Sequence, residues 1–262
     1  MTNIEAAGQQ LAEALKGYSA DYIEAHLEES QSSHITYRGR ELDAIGRTTV
    51  IGGNVRALVR GGWGFVSFNN LSELPSRIEL AVKQAQFAGT TESKLSSVEP
   101  VVDIVPSGIE KNPVTIPLTE KKHLLDDYND IIWRTPKLQT SIIGYGDSHK
   151  KVIFLNSLGS HIEQEKAGVT LRLAALAAED GEVQQVGLSL GSSGDFSQIQ
   201  GLHQQVEQMA QHAVELLSAP QVKGGEYTVV LDPILAGVFV HEAFGHLSES
   251  DFVYENDRLR EI

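Results

Sequence analysis

Cysteine is absent from the 262 residues of this chain, which excludes disulfide bonds and thiol catalysis within it. The sequence also lacks a run of eighteen apolar residues, about the length that a transmembrane helix needs. Its first residues, MTNIEAAGQQ, have neither the basic nor the apolar segment of a secretory signal. These absences predict a protein of the cytoplasm that does not insert into membranes.

Positive charge is scarce in this chain. It has 21 Lys and Arg against 35 Asp and Glu, which gives a net charge of -14. A diffuse acidic surface repels phosphate groups, so we expect neither nucleic acid nor an anionic membrane as a partner. Hydrophobic residues make up 41% of the chain, which is ample for a buried core, and the length favours more than one domain.

Hydrophobic periodicity predicts an α+β fold built from two units with the same order of elements: helix, antiparallel strands, helix. The first unit covers residues 1–100 and the second covers residues 118–222. Residues 101–117 belong to a stretch rich in Ser, Thr and Pro, which predicts a linker at the surface. Residues 226–233 (EYTVVLDP) read as a short buried strand, after which Asp232 and Pro233 are suited to begin a helix.

That last helix carries the sequence HEAFGH, with His241, Glu242 and His246. Zinc proteases use HExxH, in which two His four residues apart face one metal ion. Here the two His are five apart, so on a regular α-helix they would point about 140° apart. Gly245 could end or widen the helix into a π-like turn and bring the imidazoles together. The alternative is that both are ordinary histidines near a helix end.

Three acidic residues accompany the two histidines. Glu242 directly follows the first His, as the general base does in zinc proteases. Glu249 and Asp251 follow the second His and could orient the imidazoles, although plain solvated acids fit the sequence equally well.

The stretch HEAFGHLSESD resembles the TldD/PmbA family of metallopeptidases, whose peptidase members carry HEAxGHxxExD. The chain matches this pattern at His241, Glu242, Ala243, Gly245, His246, Glu249 and Asp251. Two further stretches are similar to family segments: NVRALVRGGWGFVSFNN at 54–70 and FLNSLGSHIEQE at 154–165. The resemblance spans residues 20–262, and HEAFGH is its most specific part.

The resemblance implies a zinc-dependent protease that cuts unfolded or extended peptides, with His241 and His246 as metal ligands and Glu242 as the general base. It also implies that residues 223–262 begin a β-rich C-terminal metallopeptidase domain that carries the motif helix. The family's third ligand is a Cys far downstream. This chain has no Cys and stops sixteen residues after His246, so we expect a truncated chain with its third ligand beyond residue 262.

The resemblance also bears on partners. The family's non-catalytic subunits lack HExxxH, so this chain resembles the catalytic type, and we expect a homodimer or a heterodimer with a non-catalytic relative. A second hypothesis is a non-catalytic peptide-binding or scaffold subunit, in which the edges of long antiparallel sheets accept added strands. A scaffold has no need of Glu242 between two metal ligands, which separates the two hypotheses.

Overall fold

The computed structural model describes residues 4–89 and 95–260, of which 253–255 and 259–260 are described by their backbone alone. Residues 90–94, which lie within the predicted first unit, fall outside the described part. The chain divides into two compact units, Met1–Ala219 and Pro220–Ile262.

In the first compact unit the predicted order of helix, antiparallel strands and helix occurs twice. Its helices and strands are α1 (Ile4–Leu15), β1 (Tyr22–Arg38), β2 (Glu41–Val59), β3 (Gly62–Phe68), α2 (Leu74–Ala88), β4 (Val102–Val105), α3 (Leu118–Ile132), β5 (Leu138–Asn156), β6 (His161–Glu179), β7 (Glu182–Ser192) and α4 (His203–Glu215). The α+β class is therefore confirmed.

All seven strands belong to one curled sheet with the order β3-β2-β1-β5-β6-β4, and β7 also pairs with β6. The two halves are joined by the antiparallel pairing of β1 with β5, which runs from Glu24 opposite Asn156 to Arg38 opposite Ile142. Strand β4, within the predicted linker, pairs in parallel with β6. The two predicted units are thus parts of a single hydrogen-bonded layer.

Strand β1 shows why the sequence folds in this way. Its residues Ile23, Ala25 and Leu27 are buried, while Glu24, His26 and Glu28 on the other face are only partly buried. This confirms the alternation read from the sequence, since successive side chains of a strand point to opposite faces. The apolar face is covered by helices.

Two hydrophobic cores lie along the covered face of the sheet. The first packs α1 and α2 onto the sheet and includes Ile4, Leu11, Ile23, Leu27, Val55, Ile78 and Ile153. The second packs α3 and α4 onto the sheet and includes Ile35, Leu125, Tyr128, Ile143, Leu171, Phe196 and Val206.

A buried polar network connects β1, β5 and α3. The Lys121 ammonium donates to Asp147 Oδ2 at 2.5 Å and to Ser33 Oγ at 2.8 Å, and both side chains of this ion pair are fully buried. Ser33 and Tyr145 donate their hydroxyl groups to the same carboxylate. Burial lowers the pKa of Lys121, and the hydrogen bond to Asp147 opposes that shift. The buried ammonium and the buried carboxylate thus both have hydrogen-bond partners, as buried charges require.

The described part of the second unit begins with irregular chain over 220–232 and continues with short helices. It contains α5 (Pro233–Val240), α6 (Ser250–Glu255) and α7 (Asp257–Arg260). The buried strand predicted over 226–233 is wrong: residues 226–232 are exposed and form no strand. A strand needs a neighbour for its backbone hydrogen bonds, and the described residues of this unit provide none. The β-rich character of this domain stays a prediction.

None of the helices in the described part of the chain is long and apolar enough to cross a bilayer.

Candidate metal centre

The helix that carries the HEAFGH motif begins where the sequence predicts. Asp232 is its N-cap, and its Oδ1 accepts a hydrogen bond from the Leu235 N–H at 2.7 Å. Pro233 occupies the first turn, where no N–H is needed. The eight residues of α5 then place His241 at the C-terminal end of the helix.

The backbone widens from His241 to Gly245 into one π turn. The His246 N–H donates to the His241 carbonyl oxygen, which is the hydrogen bond between residues five apart that defines this turn. Residues five apart therefore lie one above the other instead of about 140° apart. Of the alternatives that the sequence left open for this helix, the structure has the π-like turn.

The π turn brings the two imidazoles together. Their ring centroids are 4.5 Å apart, with 63° between the ring planes. The potential ligand atoms of His241, Glu242 and His246 all lie within 4.8 Å of one another. Zinc binds imidazole nitrogen and carboxylate oxygen at about 2.0–2.2 Å. The three side chains therefore offer atoms of the right kind, and these atoms need to move only slightly closer together to contact one ion.

Gly245 lies at the end of the π turn without the special backbone conformation that the sequence suggested. Its φ and ψ are −54° and −51°, an ordinary helical conformation that any residue adopts. A Cβ at this position would lie 3.4 Å from His241 Nδ1. That distance is an ordinary van der Waals contact, so a methyl group fits beside the imidazole, and the proposed need for backbone freedom is wrong.

Of the two acids that follow the motif, Glu249 and Asp251, the structure brings only Glu249 into contact with a histidine of the motif. Glu249 Oε1 lies 2.5 Å from His246 Nδ1, whereas Glu242 Oε2 lies 3.7 Å from His246 Nε2. The hydrogen bond that His246 donates to Glu249 raises the pKa of His246, and the charges of Glu249 and Glu242 add to that effect. Asp251 instead accepts the N–H of Phe252 at 3.0 Å, so its carboxylate is used by its own helix.

The site is open in the described structure. The side chain of His246 is 47% exposed and that of Glu242 is 65% exposed. Apolar residues on and after α5 are exposed as well. They are Ile234, Leu235, Val238, Phe239, Val240 and Phe244.

Comparison with known proteins places the first unit in a family. Residues 24–87 match the model of PmbA/TldA metallopeptidase domain 1, and residues 111–219 match that of the PmbA/TldA metallopeptidase central domain.

Two named metalloproteases are similar in sequence to this chain over nearly its whole length. A metalloprotease of Synechocystis sp. is 40% identical over 246 residues, which cover 93% of this chain and 53% of the relative. A metalloprotease of Methanocaldococcus jannaschii is 32% identical over 246 residues, which cover 91% of this chain and 54% of the relative. The chain thus spans about half the length of the curated relatives it matches.

Solved structures agree in fold. A candidate modulator of DNA gyrase from Bacteroides thetaiotaomicron superposes with a TM-score of 0.75 at 15% identity, over 98% of this chain and 60% of that one. TldE from Thermococcus kodakarensis superposes with a TM-score of 0.62 at 16% identity, over 80% of this chain and 47% of that one.

Proposed function

Because the chain belongs to the PmbA/TldD metallopeptidase family, we propose that it is a zinc-dependent peptidase of the catalytic type, with its metal at the HEAFGH motif. The observation that carries this proposal is the π turn, which sets the His241 and His246 rings side by side. Without that turn the HExxxH spacing would separate them.

In this proposal His241 and His246 each hold the metal through one imidazole nitrogen. A bound zinc ion would supply Lewis acidity, polarising the peptide carbonyl and acidifying water. Two imidazoles leave room for a further protein ligand and for the reactants. We expect that third ligand outside the described residues, beyond residue 262.

Glu242 is proposed as the general base. It adjoins a ligand in sequence, and its carboxylate lies 3.7 Å from His246 Nε2, so it is held beside the metal position. A carboxylate there can take a proton from the attacking water and deliver it to the leaving amine.

The substitution Glu242→Gln tests this role, since the amide keeps the size of the side chain but cannot accept the proton. We expect the full-length protein to keep zinc and peptide binding while hydrolysis of an unstructured fluorogenic peptide falls by about two to four orders of magnitude. Glu215→Gln is the matched control, because Glu215 is also an exposed acid paired with a nearby His. Equal rates for Glu242→Gln and wild type would remove Glu242 from the mechanism.

The substrate that we propose is an unfolded or extended peptide, the class that the resemblance of HEAFGHLSESD to the family implies. For the assembly we propose a homodimer or a heterodimer with a non-catalytic relative.

A second candidate function is a peptide-binding scaffold without catalysis. Residues 41–52 of β2 pair with β1 on one side only, because β3 pairs with β2 from Gly53 onward. Among the described residues this leaves an open strand edge, which could accept an extended peptide. Peptide binding by both wild type and Glu242→Gln, with cleavage by neither, would favour the scaffold.

A further inference from the structure

Glu249 is placed against His246 by the local backbone. The 3-10 turn His246–Ser248 follows the π turn directly, and Glu249 N–H donates to the His246 carbonyl at 3.4 Å. In a 3-10 turn the side chains of residues three apart eclipse each other. The carboxylate of Glu249 therefore returns over the imidazole of His246.

The contact selects one nitrogen of that imidazole. Glu249 Oε1 lies 2.5 Å from Nδ1, so Nδ1–H is the donor and the carboxylate accepts. With the proton held on Nδ1, the lone pair of neutral His246 is on Nε2. Nε2 is the nitrogen on the side of Glu242, at 3.7 Å from its Oε2.

We propose that Glu249 is a positioning residue that fixes the tautomer and ring orientation of His246, so that Nε2 binds the metal. This inference rests on the proposed function, since it assumes that His246 is a ligand. A carboxylate behind a metal-binding imidazole orients the ring and raises its basicity as a ligand. Glu249 itself touches neither substrate nor metal in this arrangement.

Two other features of the chain show what is particular to Glu249. The His212 and Glu215 pair has the same spacing, with Nδ1 to Oε2 at 3.3 Å, but its nitrogens belong to no grouping of potential ligands in the described residues. Asp251 is an acid of the same segment, yet it accepts from the Phe252 N–H. Asp251→Asn is thus a matched control for loss of negative charge near the site.

The test measures zinc affinity of the full-length protein by competition with a chromogenic chelator. We expect Glu249→Ala to weaken zinc binding by about 10–100-fold, the usual effect of losing such a support. Glu249→Gln should lose less, because its amide oxygen still accepts from Nδ1–H, and Asp251→Asn should bind as wild type does. Unfolding of the zinc-free proteins should be unchanged, since Glu249 is exposed.

A spectroscopic measurement separates positioning from a general structural role. Nitrogen chemical shifts of His246 in the zinc-free protein, at a pH where the ring is neutral, report its tautomer. Wild type should be protonated on Nδ1, and Glu249→Ala should move the proton towards Nε2.

The outcomes distinguish this inference from the proposed function. If wild type binds no zinc, or if His246→Ala binds it equally well, the proposed metal site itself is wrong. If His246 is needed for zinc but Glu249→Ala matches wild type in affinity and tautomer, only the role of Glu249 is overturned. If Glu249→Gln loses as much zinc as His246→Ala, Glu249 is a ligand and the positioning role is wrong.

Discussion

One backbone hydrogen bond brings the two histidines of the candidate metal centre together. The bond from His246 N–H to the His241 carbonyl makes the turn five residues long, so a spacing that separates two side chains on an α-helix aligns them here. The sequence allowed this to be predicted, because the spacing and the neighbouring acid together suggested a distorted turn. The contact of Glu249 with His246 could be offered only as one of two alternatives, since spacing does not show which acid folds back.

Gly245 gives a prediction at the scale of one residue. Because its backbone is helical and a Cβ would lie 3.4 Å from His241 Nδ1, Gly245→Ala should fit, with zinc affinity close to wild type. The two γ carbons of Gly245→Val would enter the space of the imidazole, so we expect zinc affinity to fall by at least about tenfold. Chelator competition measures both. Equal affinities for the Ala and Val variants would show that the room beside His241 does not matter.

At the scale of elements, the strands of the first unit were predictable because their periodicity is local. The alternation in β1 marks its covered face directly. The segment 226–233, which was predicted as a strand, is also rich in apolar residues, but composition does not supply a partner strand. Local sequence predicts which segments suit a strand, whereas pairing decides which of them become one.

The network between α3 and the sheet gives a prediction at this scale. Lys121→Met would leave the Asp147 carboxylate buried without its cation, so the free energy of unfolding should fall by about 3–5 kcal/mol. Lys122→Met is the matched control: Lys122 pairs with Asp126 at the surface, and its loss should cost no more than about 1 kcal/mol. Urea unfolding measures both.

A further variant shows whether the missing cation is the cause. Lys121→Met combined with Asp147→Leu removes both charges, and it should be more stable than Lys121→Met alone. If Lys121→Met is no less stable than Lys122→Met, the buried network does not support the fold as argued.

At the scale of the whole molecule, the strands of the first unit form one sheet, although the two halves of the unit match separate family models. The sequence predicted two similar halves but did not predict that their strands would join into one sheet. The pairing of β1 with β5 joins positions such as Ser33 and Asp147, which are 114 residues apart, and no local pattern records such a contact.

The continuous sheet predicts that both halves unfold together. The chain has two Trp, and each half contains one: Trp63 in β3 and Trp133 directly after α3. In the single-Trp variants Trp63→Phe and Trp133→Phe, fluorescence reports one half at a time. We expect the two urea transitions to share one midpoint, as a cooperative unit requires. Two separated midpoints would mean that the halves are independent domains despite their shared sheet.

The account depends most on whether His241 and His246 hold a metal ion. The direct measurement is the zinc content of the full-length protein after zinc loading and gel filtration, compared with His246→Ala and with His212→Ala as the control for an exposed His paired with Glu. We predict about one zinc per chain in wild type and in His212→Ala, and loss of that zinc in His246→Ala. Unchanged zinc in His246→Ala, or no bound zinc in wild type, would contradict the metal site.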